Sequence, residues 1–171
     1  MNKIAFQAII DYFSGKLAAP SSDIYANCII HPETKELLQN VGLPINLDVL
    51  LLNFYYEDMI KVLTVSNNNY LVIGDDYGTF ICIEALTGEV YSINSALEHS
   101  SRFINSSLLS FLQFIIIYIN WKDSLIDADD NEASDIVNEL KEDFFSIDDK
   151  ALDSAENWWN IILEQHELGL M

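Results

Sequence analysis

Apolar and polar positions alternate most clearly in residues 70–93, YLVIGDDYGTFICIEALTGEVYSI. The pattern predicts three short strands, at 70–74, 79–84 and 90–93. In the second, Phe80, Cys82 and Glu84 point to one face and Ile81 and Ile83 to the other. The joints, Gly74-Asp75-Asp76-Tyr77-Gly78 and Leu86-Thr87-Gly88, carry residues suited to tight turns. Connections this short join antiparallel neighbours, which makes the region a β-meander and excludes a βαβ unit. So apolar a sheet requires cover on at least one face, and helical patterns on both sides of it offer that cover.

Along the chain, Phe6, Ile9, Ile10 and Phe13 recur at helical spacing over residues 3–13, and Ser14-Gly15 ends that helix. A loop through Pro20-Ser21-Ser22 leads to an extended piece at 25–30. In HPETKELLQNVGLP, Pro32 suits a helix start, Leu37, Leu38 and Val41 form its apolar side, Gly42 suits a left-handed stop and Pro44 prevents continuation. Residues 50–56 and 60–65 read as two more strands joined at Glu57-Asp58, and Asn67-Asn68-Asn69 turns the chain into the meander. After the sheet, Asn105 or Ser106 is placed to cap a helix reaching about Asn120. Leu108, Leu109, Leu112, Ile115, Ile116 and Ile119 cover more than half its circumference, so it is expected to lie buried across the sheet. Two amphipathic helices follow, one carrying Ile136, Val137, Leu140 and Phe144, the other Leu152, Ala155, Trp158, Trp159, Ile162 and Leu163. Adjacent helical residues are about 100° apart, so one tryptophan is expected to anchor the last helix and the other to sit near the surface. The fold class predicted is α+β: an antiparallel β-meander sheet of about five strands covered by helices, with a helical C-terminal extension.

Half of the 171 residues are apolar, enough for one domain with a real core. Net charge changes the picture: it is −19, and residues 123–171 hold fifteen acidic side chains against Lys141 and Lys150. Such a surface repels nucleic acid and anionic membrane and favours a basic partner. Gln7 and Asp11 interrupt the N-terminal apolar stretch and no cleavage site follows, which argues against a signal peptide. The longest apolar run, 108–119, is broken by Ser110 and Gln113 and falls short of the roughly 20 residues needed to span a bilayer. The expected location is cytoplasmic, with Cys28 and Cys82 as reduced thiols in apolar segments.

Candidate chemistry is sparse. Asp127, Asp129 and Asn131 match the first positions of a calcium loop, but Glu132 and Asn138 stand where glycine and glutamate are required. His31, His99 and His166 share no zinc-like spacing, and there is no G-x-S-x-G, P-loop or G-x-G-x-x-G. Asn105-Ser106-Ser107 reads as a helix cap. The expectation is a protein that is not an enzyme and takes no metal or cofactor.

Four pieces in order, HPETKELLQNVGLP, YLVIGDDYGTFICIEALTGEVYSI, FINSSLLSFLQFI and ENWWNIILEQ, resemble group four of the SUKH superfamily, from about Ile30 to about Gln165. Gly42-Leu43-Pro44 and Asn105-Ser106-Ser107-Leu108 are the most specific parts; residues 1–30 match nothing in that pattern. The resemblance implies a single SUKH-like immunity domain over 1–171, with 1–30 as an unmatched helix and loop and 123–171 as its acidic helical part. It further implies a bacterial immunity protein that neutralises a cognate toxin domain, commonly a nuclease or nucleic-acid deaminase. Such domains tend to be basic, in keeping with the acidity of this chain. The residues expected to meet the toxin are Asp75, Asp76 and Tyr77 on the meander turn, and Asp127, Asp129, Asp130, Glu132 and Asp135 in the acidic segment. The alternative is a SUKH-type interaction module with a cellular partner that is not a toxin.

Overall fold

The computed structural model describes residues 3–47, 49–94, 100–128 and 130–170. An antiparallel sheet is built from β3 (Asn53–Phe54), β4 (Lys61–Val65), β5 (Asn68–Asp75), β6 (Phe80–Glu84), β7 (Val90–Asn94) and β8 (Ser100–Asn105). Strands β5 to β8 follow one another as a meander, and β4 and β3 share the other edge of β5. The β4–β5 turn uses Ser66 and Asn67 at φ 50° and 71°, a pair of left-handed residues that matches the twist of a two-residue hairpin. The α+β class and the meander are as the alternation predicts.

Two local expectations give way, and one strand is added. The strand expected at 50–56 shrinks to Asn53–Phe54, because Leu50 and Leu51 adopt φ 53° and 55° and cannot extend a ladder. Residues Ile24–Asn27 form one helical turn, α2, in place of the extended piece. Strand β8, SSRFIN, is mostly polar and mostly exposed before Phe103; its pairing with β7 makes it a strand.

The sheet's inner face carries Leu71, Ile73, Ile81, Ile83, Val90 and Ile104 into the main core. Ile73 and Ile104 occupy the two register shifts of the sheet, extra residues turned inward. Helix α4 (Leu108–Asp127) runs through this core, with Leu108, Phe111, Leu112, Phe114 and Ile115 buried. It is longer than expected and starts at a reciprocal cap in which Ser107 and Ser110 satisfy each other's backbone N–H groups. Helix α5 (Asp130–Ile147) returns antiparallel to it, stacking Phe144 on Phe114 at 4.0 Å. A 3₁₀ turn (Asp149–Leu152) and a loop break the expected last helix, since the Asn157 side chain donates to the Lys150 carbonyl and the Asp153 carboxylate. Helix α6 (Trp158–Glu167) then runs parallel to α4, placing Trp159 near Phe114 and His166 near Tyr118.

The N-terminal segment joins the same core. Helix α1 (Lys3–Tyr12) buries Phe6 and Ile9 there, and α3 (Pro32–Asn40) buries Leu37 and Leu38. Strand β1 (Leu17–Ala18) pairs with β2 (Leu43–Pro44). Gly42 explains the helix-stop motif twice over: its φ is 86°, and a Cβ there would lie 2.6 Å from the Ala18 carbonyl oxygen.

Candidate functional site

The β5–β6 turn is built by two carboxylates. Asp76 Oδ1 accepts from the N–H of Gly78 (3.2 Å), the N–H of Thr79 (2.7 Å) and the Thr79 hydroxyl (3.0 Å), folding the loop back on itself. The Thr79 hydroxyl also bonds Ser92 of β7. Asp76 Oδ2 accepts from Trp158 Nε1 at 3.3 Å, which ties the turn to the start of α6. That bond accounts for the second tryptophan. One of the pair was expected near the surface, but both are buried: Trp159 fully, and Trp158 to 7 % exposure because its one polar atom has a partner inside. Asp75 Oδ1 accepts from the Tyr77 N–H at 3.2 Å, and its Oδ2 from Asn53 Nδ2 at 3.3 Å. Tyr77 itself is held at φ 65° with 83 % of its surface exposed. A left-handed tyrosine costs about 1–2 kcal/mol, and its ring returns none of that through core burial.

Asp75 belongs to the sheet's outer face, opposite Phe80 in the ladder. On that face a small cluster of Val72, Cys82 and Ile93 is screened by Tyr55, Leu63, Tyr70, Phe80 and Tyr91. Tyr91 packs edge-on against both Tyr70 and Phe103, with centroids 6.1 and 5.6 Å apart. The Lys61 ammonium lies 4.9 Å from the Phe80 centroid. Burial, then the Glu89 carboxylate that accepts its proton, raises the Tyr91 phenol pKa. Burial likewise pushes the Cys82 thiol up to about 12, so it stays protonated and unreactive at neutral pH. This aromatic face is the part of the site absent from the sequence-based set. Its signal was the period-two spacing of Tyr70 with Val72 and of Phe80 with Cys82.

The acidic segment lies elsewhere. Asp127 ends α4, Asp130 opens α5, and Glu132 and Asp135 are exposed on α5; Asp129 lies outside the described residues. Carboxylates in the first turn of a helix also complement its dipole. Phe111 packs against Trp158, beside the meander turn, and sixteen residues of α4 separate Phe111 from Asp127. At 1.5 Å per residue the two predicted clusters are therefore about 24 Å apart along the axis, and the structure does not bring them together.

Asp76 also borders a larger cleft, about 590 Å³, between α4, α6 and the loop at 49–51. Arg102 and Lys122, two of the eight basic residues of the chain, line it together with His166 and Tyr118. That lining is unsuited to a basic partner. His166 and Tyr118 share a buried hydrogen bond of 2.7 Å. Burial holds the His166 pKa below its ordinary 6.5. The unfolded chain therefore takes up a proton near pH 6.5 that the folded chain refuses, so stability is full above that value and falls as pH drops through it. Urea unfolding midpoints should decline from about pH 7.5 to about pH 5.5, and His166→Gln should flatten that decline.

Among the described residues no group of three or more His, Cys, Asp or Glu is arranged to hold a metal ion, and no helix is long and apolar enough to cross a membrane. What fold and surface define is an α+β sheet-and-helix protein with an acidic, aromatic exterior. The family model of the SUKH-4 immunity protein matches residues 21–165, and the chain belongs to that family. No curated protein and no solved structure matches it. The match begins after α1 and β1, both of which the structure nevertheless packs or pairs with matched residues.

Proposed function

We propose that this chain is a cytoplasmic immunity protein that binds a cognate toxin domain, a basic nuclease or nucleic-acid deaminase, and neutralises it by covering the active site. Membership of the SUKH-4 immunity protein family carries the reading. The net charge of −19 supports a basic partner and disfavours nucleic acid or an anionic membrane. On this reading the protein acts by occupancy and catalyses nothing, and residues 1–171 work as one domain. The two acidic clusters divide the labour. Asp127, Asp129, Asp130, Glu132 and Asp135 attract the toxin from a distance, while Asp75, Asp76 and Tyr77 belong to the surface it finally meets.

Co-expression with the cognate toxin domain should restore growth to cells that the toxin alone arrests, and the two should co-purify. Stopped-flow association should be fast at low salt and slow markedly as ionic strength rises, because charges act over only about 8–10 Å at physiological salt. Replacing Asp127, Asp129 and Asp130 by Asn and Glu132 by Gln should lower the on-rate and flatten its salt dependence while leaving folding nearly unchanged. An unaltered on-rate and slope would reduce this acidity to a solubility device. Absence of both co-purification and rescue would remove the toxin reading.

A further inference from the structure

The geometry points to the cavity between β3 and the β5–β6 turn as a cation-recognition cage that seats one arginine or lysine side chain of the toxin domain. This inference rests on the proposed function for the identity of the partner, and on the cavity itself for the chemistry. The cavity measures about 250 Å³ and is lined by Tyr55, Asp75, Tyr77, Gly78, Thr79 and Phe80. That is below the size of ordinary cofactor sites, roughly 300–1,000 Å³, and suits a single side chain. Three of its six lining residues are aromatic and one is a carboxylate. Aromatic faces attract guanidinium and ammonium groups through the ring quadrupole, and a carboxylate beside them supplies charge and hydrogen-bond acceptors.

Each wall is held for the task by its own neighbours. Asp75 is oriented by the Tyr77 N–H on one oxygen and by Asn53 on the other, with the Tyr55 phenol as a further neighbour, and because a carboxylate has about four acceptor sites one is left for an incoming donor. Tyr55 is oriented by its place beside the short β3 strand, where its N–H donates to the Ile73 carbonyl at 2.8 Å. Its phenol pKa is pushed up to about 12 by burial first and then by its hydrogen bond to Asp75, so it remains a neutral donor and ring. Phe80 already accepts one cation, the Lys61 ammonium, which does not line the cavity. Tyr77 is the exposed wall: its N–H is bonded to Asp75, and its ring is displayed by a left-handed backbone that no core contact requires. Strain of this kind at an exposed aromatic fits a residue whose partner lies outside the chain. Charge complementarity names the occupant, since a chain of net charge −19 favours a basic protein and the cavity is rimmed by its acidic turn.

Two probes test the cage separately from the toxin reading. The peptide acetyl-Gly-Arg-Gly-amide, titrated into the ¹⁵N-labelled protein, should shift the Tyr77, Gly78 and Thr79 amides saturably. The matching Gln peptide should not. Asp75→Asn or Tyr55→Leu should abolish the Arg-peptide shifts. Shifts confined to α5, or equal for the two peptides, would overturn the cage. With the toxin domain itself, Tyr77→Ala and Asp75→Asn should each weaken binding about tenfold or more, mainly through the off-rate. Tyr77→Gly should lose binding equally while the melting temperature holds or rises, because glycine relieves the left-handed backbone. Toxin binding unchanged in these variants would overturn the cage and leave the immunity reading intact. Selective Arg-peptide binding by a protein that ignores the toxin would leave the cage standing and remove that reading.

Discussion

Trp159→Ala should destabilise the protein by about 3–5 kcal/mol, the range for a large aromatic truncated in a packed interior. Trp159 is fully buried and touches rings from three helices: Phe111, Phe114 and Tyr118 on α4, Phe144 on α5, and its neighbour Trp158. Its Nε1 donates to Asn105 Oδ1 at 2.9 Å, so truncation also orphans a buried amide oxygen at the end of β8. The residue is therefore the point at which α4, α5, α6 and the sheet edge meet. Urea unfolding followed by circular dichroism reads the loss as a lower midpoint at unchanged slope. Since small domains are stable by only about 5–15 kcal/mol, a loss of this size should leave a substantial unfolded fraction at moderate temperature. A loss under about 1 kcal/mol would mean that α6 is not docked as described.

The second large effect is expected at Asp148, a buried carboxylate between α5 and the 3₁₀ turn. It accepts from Asn105 Nδ2 (3.0 Å), the Ser106 N–H (2.7 Å), the Ser106 hydroxyl (2.7 Å) and the Ser110 hydroxyl (3.1 Å). Those donors surround the N-terminus of α4, where the helix dipole also favours a negative charge. Asp148→Ala should cost about 2–4 kcal/mol: hydroxyls can rotate to other acceptors, but the Ser106 N–H and the Asn105 amide cannot. Asp148→Asn should cost less, because its amide oxygen can keep the three donors now on Oδ2 while its NH₂ donates to the Ser106 hydroxyl oxygen, which accepts once the hydroxyl rotates. Equal losses for both variants would show that charge, not acceptor geometry, is what the site requires. Comparison of the urea midpoints of the two variants decides it.

Asn105 joins these two predictions, and it shows how far local reading reached. In the sequence, Asn105-Ser106-Ser107 announces a helix cap, and a capped helix is present. The residue that caps is Ser107, with Ser110 as its reciprocal partner, while Asn105 and Ser106 bond Asp148 more than forty residues away. Short-range spacing carries no information about that partner. The same holds at the turn. Gly74-Asp75-Asp76-Tyr77-Gly78 was legible as a hairpin and as a candidate contact. That Asp76 also accepts from Trp158, beyond its local bonds to Thr79, depends on α6 folding back beside the turn, while Tyr77 stays exposed.

Alternation and spacing by themselves determined the meander, the buried helix α4, the Pro32 start and Gly42 stop of α3, helix α5, and residues 158–163 of the last helix. Each rests on interactions within a few residues or on the period of a pattern, which the chain carries without reference to its partners. Charge likewise needs no fold: an excess of carboxylates repels polyanions in any conformation. Tertiary structure alone decided the rest. It made a strand of polar Ser100–Asn105 by pairing it with β7, and it bent Leu50 and Leu51 out of the sheet. It buried Trp158 and Trp159 by supplying Asp76 and Asn105 as acceptors. It gathered Tyr55, Asp75, Tyr77 and Phe80 around one cavity, while placing the acidic end of α4 a helix length away. These outcomes depend on which elements become neighbours, and neighbours are chosen by burial and hydrogen-bond satisfaction summed over the whole chain, not by any local segment of it.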